Sequence, residues 1–281
     1  MEAITITSRQ NPQVLHVRSL WDKKHRDASA QFFFEGAKLL EEAIARELPV
    51  SSVFVTQQAQ AQYAALLQRL AAQQQNVTFF CTSDSVYQKM SPQSAPQGIL
   101  CVANRIDKLR KFTTIYSGDL AKDRILLCEC IQDPGNLGTV LRTAAAFGYD
   151  SVVLTADCAD TLSYKVIQAS MGASFSLPVQ IVPDLGDTIR ALRASGRYVA
   201  AAALHRSAIS LEQFAQCGDA VFAVGSEGRG LQEETVSLCS ACVAIPMAQG
   251  AESLNAAMAA TVLMWEQYRA NGCKASKRQE S

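Results

Sequence analysis

Short apolar runs and amphipathic stretches take turns along the first hundred residues. "NPQVLHVRSLWDKKHRDASA" places Val14, Leu15, Val17, Leu20 and Trp21 close to helical spacing. "QFFFEG" is a short aromatic run closed by Gly36, and the "AKLLEEAIAREL" that follows reads as a helix stopped by Pro49. "SSVFVT", "VTFFCT" and "GILCVAN" read as strands, with "AQYAALLQRLAAQQQ" as a helix among them. This pattern predicts a small α/β domain over residues 1–105. Residues 106–120 are charged and lack a clear period, so they read as a linker.

Beyond the linker the period changes. Strands are expected at 125–131, 151–155, 198–204, 220–225 and 243–245, and several are apolar throughout, as strands covered on both faces are. Helices are expected at 137–147, about 162–171, 186–195 and 231–238. A last, Ala-rich helix, "SLNAAMAATVLMWEQYRA", would be capped by Ser253. The order predicts an α/β domain over 121–271, built on a parallel sheet with helices on both faces. Such a sheet binds its ligands beyond the carboxyl ends of the strands. The polar 272–281 reads as a disordered tail.

Composition adds little to this picture. Twenty-six Lys and Arg balance twenty-six Asp and Glu over 281 residues, so the chain as a whole has no polyanion-binding signature. The halves differ mildly: 13 basic against 9 acidic residues in 1–112 gives +4, and 13 against 17 in 113–281 gives −4. Nine cysteines raise the question of metal or disulfides. However, several lie in apolar runs, and Cys239–Cys242 is a lone C-x-x-C without a second pair or a nearby His, so no metal site is expected. The start lacks the basic-then-apolar pattern of a signal peptide and no apolar run is long enough to span a bilayer, so a cytoplasmic protein without membrane contact is expected.

Candidate chemistry clusters at three strand exits. "DPGNLGTVLR" carries Asn136 and Arg142. "VGSEGRGL" puts Glu227 two residues after Gly225, and "IPMAQGAESLNAAM" holds Ser253, Leu254 and Asn255 at a helix start. Singly, each has a plain alternative. The first is also a turn followed by a solvated Arg, and the third is also a helix cap. The second has the spacing G-x-x-G-x-G, which is neither the dinucleotide fingerprint nor a P-loop.

Taken together and in this order, "NLGTVLRTAAAFG", "AVGSEGRGL" and "IPMAQGAESLNAAMAA" resemble the three motifs of the SpoU (TrmH-type) branch of the SPOUT RNA methyltransferases. The likeness spans about 125–268. A looser one, through "SRQNPQVLHVRSL", Arg26 and "FFFEGAKLLEEAI", links the front to the substrate-binding domain that precedes such enzymes. One departure is Ser226, where many relatives carry Asn.

The resemblance implies S-adenosyl-L-methionine as methyl donor and a ribose 2′-hydroxyl of structured RNA as acceptor, with ribosomal RNA placed ahead of transfer RNA and both left open. It also implies a trefoil knot in the catalytic domain and a homodimer paired through it. Gly225, Ile245, Met247 and Leu254 would hold the cofactor. Arg142 would be catalytic, as a base or as a phosphate clamp, with Asn136, Glu227, Ser253 and Asn255 orienting it and the ribose. Arg9, Arg18, Lys23, Lys24 and Arg26 form a local basic cluster for RNA phosphates. Two rivals stand beside this reading. One is a nucleotide-dependent enzyme using "GSEGRG" for phosphate, which lacks the usual fingerprints. The other is an RNA-binding scaffold that kept the fold without the activity, which would have no reason to keep all five polar residues.

Overall fold

In the computed structural model the described residues are 3–105, 123–205, 207–218, 220–248 and 253–272. The linker expected over 106–120, and all but the first residue of the tail expected over 272–281, lie outside them. The chain divides into two compact units: Met1–Asp107 with Leu162–Ser176, and Lys108–Thr161 with Leu177–Ser281.

The first unit is built on strands β1 (Ile4–Ile6), β2 (Gln31–Glu35), β3 (Val50–Thr56), β4 (Thr78–Thr82) and β5 (Ile99–Asn104), in the order β1-β4-β3-β5-β2. β1, β4 and β3 are parallel, and β5 runs antiparallel to both of its neighbours. The helices are α1 (Pro12–Ser19), α2 (Lys23–Ser29), α3 (Ala37–Ala45), α4 (Gln57–Gln62), α5 (Ala64–Gln73) and α6 (Asp84–Met90). The continuous helix expected through 11–30 breaks in two. Asp22 starts α2 by accepting from the Lys24 amide at 2.9 Å, and Ala30 ends it in the left-handed region.

This unit also takes α8 (Tyr164–Ser170) and the short helical turn after it from the later sequence. Tyr164 stacks on Phe33 with ring centroids 5.4 Å apart, Phe175 lies against Phe32 and Phe34, and Gln168 donates to the Glu35 carbonyl at 2.7 Å. The centre of this packing is the Glu35 side chain, which is fully buried. Its Oε1 accepts from the Tyr87 hydroxyl at 3.0 Å and the Gln97 amide at 2.8 Å, and its Oε2 from the Ser91 hydroxyl at 2.6 Å. Burial, with this carboxylate beside it, pushes the Tyr87 phenol far above its ordinary pKa, so Tyr87 stays a donor.

The second unit is a six-stranded, all-parallel sheet in the order β11-β9-β10-β6-β7-β8. Its strands are β6 (Ile125–Cys128), β7 (Ser151–Thr155), β8 (Val179–Val182), β9 (Val199–Ala202), β10 (Val221–Val224) and β11 (Ala241–Val243). α7 (Pro134–Ala146), α9 (Gly186–Ala194), α10 (Leu211–Gln216), α11 (Glu233–Leu238) and α12 (Ala256–Ala270) complete it. The strand expected over 125–131 stops at Cys128. Beyond it Glu129, 2% exposed, accepts from the Gln232 amide at 2.7 Å and the Thr235 hydroxyl at 2.5 Å, so its carboxylate holds the start of α11. Cys130 then takes a positive φ of 59°, which no continuing strand allows. β8 is an edge strand with Ile181 exposed, so it lacks the apolar run that marks the central strands.

Ala256, Ala257 and Ala260 of the last helix are buried inside the subunit. The helix is pinned by Gln267, which accepts from the Tyr149 hydroxyl at 2.5 Å and donates to the Ala220 carbonyl. No helix among the described residues is long and apolar enough to cross a membrane.

Glu35→Ala strands two buried hydroxyl donors and the part-buried Gln97 amide, and is expected to destabilise the first unit by about 3 kcal/mol. The chain's two tryptophans, Trp21 and Trp265, fall one in each unit, so urea unfolding followed by Trp21 fluorescence in a Trp265→Phe background reads the first unit alone. An unshifted midpoint would mean that the carboxylate is not the centre of that packing.

Candidate active site

The three polar motifs meet at the carboxyl end of the parallel sheet. β6 leads through Glu129–Gln132 into α7, where Asp133 is the cap: its Oδ1 accepts from the Asn136 amide at 2.8 Å, and Pro134 follows at the first helical position. β10 ends at Val224, and residues 226–230 form a tight turn. The Gly230 amide donates to the Ser226 carbonyl at 2.9 Å, and the Arg229 amide to the Ser226 hydroxyl at 3.4 Å. Gly225 sits where this turn closes. A Cβ there would lie 2.1 Å from the Gly230 carbonyl carbon and oxygen, so glycine is required by the turn's own return. Asn255 caps α12, accepting from the Ala257 and Met258 amides at 3.0 and 3.2 Å. Asn255 therefore takes the capping position expected for Ser253, which precedes it by two residues.

Three side chains, one from each motif, lock together. Glu227 Oε1 accepts from Asn136 Nδ2 at 2.8 Å and also from Asn255 Nδ2, which donates to Asn136 Oδ1 at 3.0 Å as well. Asn255 is thereby satisfied at both ends of its amide. Glu227 Oε2 has no hydrogen-bond partner among the described residues, so one carboxylate oxygen stays available.

Two cavities flank this lock. The first, about 370 Å³, is lined by Gly225, Ile245, Met247 and Leu254, together with Ser253 and the end of β9 at Ala202–Leu204. The second, about 350 Å³, is lined by Asn136, Cys130, Gln132 and Asp133. Ser226, Glu227, Arg229 and Ala256 line both, so the 226–230 turn is their common wall. Sequence reasoning missed the β9 end, which offers only alanines and an exposed Leu204, and it passed over Arg229, a lone cation between glycines.

Arg142 lies elsewhere. Six residues beyond Asn136, it is rotated by about 600° around α7, away from the amide. It is exposed, lines neither cavity and makes no hydrogen bond or ion pair among the described residues. In the first unit, Lys23 and Lys24 are exposed, Arg18 stacks over the Trp21 ring at 3.7 Å, and Arg9 donates to the Ser85 carbonyl at 3.1 Å. Arg26 is withdrawn from that basic surface. It is 6% exposed and donates to the Leu20 and Trp21 carbonyls at 2.8 and 2.9 Å, a structural clamp rather than a phosphate contact.

Cys130 faces the second cavity as a thiol. Its hydrogen bond to the Asp157 carboxylate, burial and that carboxylate's charge push its pKa up to about 11, against a small opposing pull from Arg229. The same thiol and the Thr155 hydroxyl, which donates to Asp157 at 2.5 Å, hold the Asp157 carboxyl below its usual range. A cysteine so protonated is no nucleophile at neutral pH.

Residues 123–265 match the SpoU rRNA Methylase family, and residues 11–101 match the MRM3-like substrate binding domain. An uncharacterized tRNA/rRNA methyltransferase of Synechocystis is 35% identical over 94% of this chain and 93% of its own length. The 23S rRNA (guanosine(2553)-2′-O)-methyltransferase RlmP of Bacillus subtilis is 29% identical over 92% of this chain and 97% of its own. The crystal structure of an AdoMet-bound rRNA methyltransferase from Sinorhizobium meliloti superimposes with a TM-score of 0.77 at 26% identity, covering 95% of this chain and 98% of that one.

Alkylation of Cys130 by iodoacetamide, followed by peptide mass spectrometry, is expected to be half-maximal near pH 11. Asp157→Asn removes the main cause and lowers the midpoint toward the ordinary ~8.5. A wild-type midpoint near that ordinary value would contradict the hydrogen bond to Asp157.

Proposed function

The chain belongs to the SpoU rRNA methylase family, and from that premise we propose which residues carry the methyl transfer and on which RNA. It is an S-adenosylmethionine-dependent RNA 2′-O-ribose methyltransferase. The observation that carries the residue assignment is the Asn136–Glu227–Asn255 lock standing between two cavities.

The first cavity fits the donor. Its volume lies within the usual range for a cofactor site, and its lining is main chain and apolar side chains with a few polar groups at one wall. Gly225, Ile245, Met247 and Leu254 would hold S-adenosylmethionine there, and the bound cofactor supplies an electrophilic methyl on a sulfonium. The second cavity takes the acceptor ribose. Glu227 Oε2, the free carboxylate oxygen, accepts the hydrogen of the 2′-hydroxyl, while Asn136 and Asn255 hold Glu227 in place and Ser253 faces the transfer from the donor side.

Arg142 acts across subunits. The outward face of α12 carries Met258, 55% exposed, and Trp265, 43% exposed, the latter in a ring cluster with Phe147 and Tyr268. This apolar stripe beside α7 supports a homodimer through the catalytic domain, in which the partner subunit's Arg142 reaches the site. Its guanidinium keeps its proton, so it clamps a phosphate and stabilises the developing alkoxide. Family membership likewise supports a trefoil knot in this domain. Arg9, Arg18, Lys23 and Lys24 of the first unit bind RNA backbone. The likeness to a 23S rRNA enzyme favours ribosomal RNA, and with it a cytoplasmic location.

Calorimetry is expected to show S-adenosylmethionine binding at about one site per subunit, with neither NAD nor ATP competing; a preference for either nucleotide overturns the donor assignment. Arg142→Ala and Arg142→Lys are both expected to lower methyl transfer to hypomodified rRNA by about 100-fold with cofactor affinity kept. Near-normal transfer by the Lys variant would sink the bidentate clamp. Met258→Glu with Trp265→Glu is expected to give monomers in sedimentation and the same loss of transfer. A dimer that persists in this double variant pairs through another face.

A further inference from the structure

The wall between the cavities carries a cation that the three motifs leave without a role. Arg229 stands at the tip of the 226–230 turn and lines both cavities. Among the described residues lining either, it is the one Lys or Arg. Its side chain is exposed and makes no hydrogen bond or ion pair among the described residues. Its backbone, in contrast, is fixed by the Ser226 hydroxyl and by the turn closing through Gly230. Gly228 and Gly230 flank it with open space where a Cβ would stand.

The charge around it defines the need. The acceptor cavity is lined by two carboxylates, Asp133 and Glu227, against this single positive group. An RNA acceptor brings a phosphodiester on each side of the ribose to be methylated. Each carboxylate repels such a phosphate across the low-dielectric wall of the cavity. A guanidinium in the same wall offsets that repulsion and presents a fork matched to phosphate oxygens.

We propose that Arg229 is the chain's own phosphate anchor for the acceptor nucleotide, a positioning residue that holds the backbone flanking the target ribose against the Glu227 wall. The assignment rests on the methyltransferase reading above. It differs from the role given to Arg142, which lines neither cavity of its own chain. Because Arg229 also lines the donor cavity, the carboxylate of the cofactor's methionine end is the competing anion, and the test separates the two.

The full-length protein is compared with Arg229→Ala and Arg229→Lys, with hypomodified rRNA as the probe. RNA affinity is measured over a range of salt concentrations in the presence of S-adenosylhomocysteine, and cofactor affinity by calorimetry. Loss of one phosphate contact is expected to flatten the slope of log affinity against log salt by about 0.7 to 0.9 in the Ala variant, and Lys is expected to restore it. KM for RNA is expected to rise about ten-fold in the Ala variant, with the Kd for S-adenosylmethionine within two-fold of wild type. A ten-fold weaker cofactor with an unchanged salt slope moves Arg229 to the donor's carboxylate and overturns the proposal, as does no change in either. If the wild type binds this RNA but transfers no methyl to it, the methyltransferase reading fails, while the binding slopes still decide Arg229.

Discussion

Everything at this site depends on one carboxylate oxygen with two amide donors. Glu227 Oε1 collects Asn136 from the first turn of α7 and Asn255 from the start of α12, residues 91 and 28 positions away in sequence. Three loops that share no backbone ladder are thereby fixed to one another by side chains alone. A charged acceptor makes each bond stronger than a neutral amide pair, and the mutual Asn136–Asn255 bond closes the set so that none of the three turns without breaking two contacts. The lock uses up Asn255 completely and leaves Glu227 half free. This asymmetry fits the proposal that Asn255 braces the site and Glu227 meets the substrate.

The rigid surroundings show why such a lock stands at an exposed position. Below it, Glu129 ties the end of β6 to the start of α11 from within the core, and Gly225 lets the 226–230 turn fold back onto its own strand. At the far side Asp133 and Asn255 cap the two helices that carry the partner amides. The turns that carry Asn136 and Glu227 are therefore short and anchored before the exposed bonds form, and Asn255 is held by its place at the start of α12. Little chain entropy is left for those bonds to overcome.

The strand exits were readable because buried parallel strands leave unbroken apolar runs, and polar residues just after such runs have no core to serve. The three residues of the lock therefore stood out from sequence. The errors have local causes. "ILLCECI" looks continuous until Glu129 is seen to be buried by hydrogen bonds rather than exposed at a strand end. "SLN" offers two capping residues two apart, and only the backbone decides for Asn255. Arg26 reads as part of a basic surface because backbone carbonyl partners, even the nearby ones of Leu20 and Trp21, leave no sequence trace. The helix at 162–171 was legible, but its docking on Phe33 in the first unit was not, since apolar spacing names a buried face without naming what covers it.

The proposed placing of donor and acceptor on opposite sides of one five-residue turn would have a mechanical consequence. An in-line displacement needs sulfur, methyl carbon and oxygen collinear, with the oxygen about 3–3.5 Å from the carbon. Were the two sites built on independent loops, their fluctuations would add in that distance. Here Ser226, Glu227 and Arg229 line both cavities, so a shift of the turn displaces the wall of both together. The Glu227 lock and the Gly225 closure restrain the same turn from opposite ends. The distance across which the methyl must move is thus set by a rigid local element, while the rest of the RNA-binding surface is free to differ among relatives that modify different RNAs.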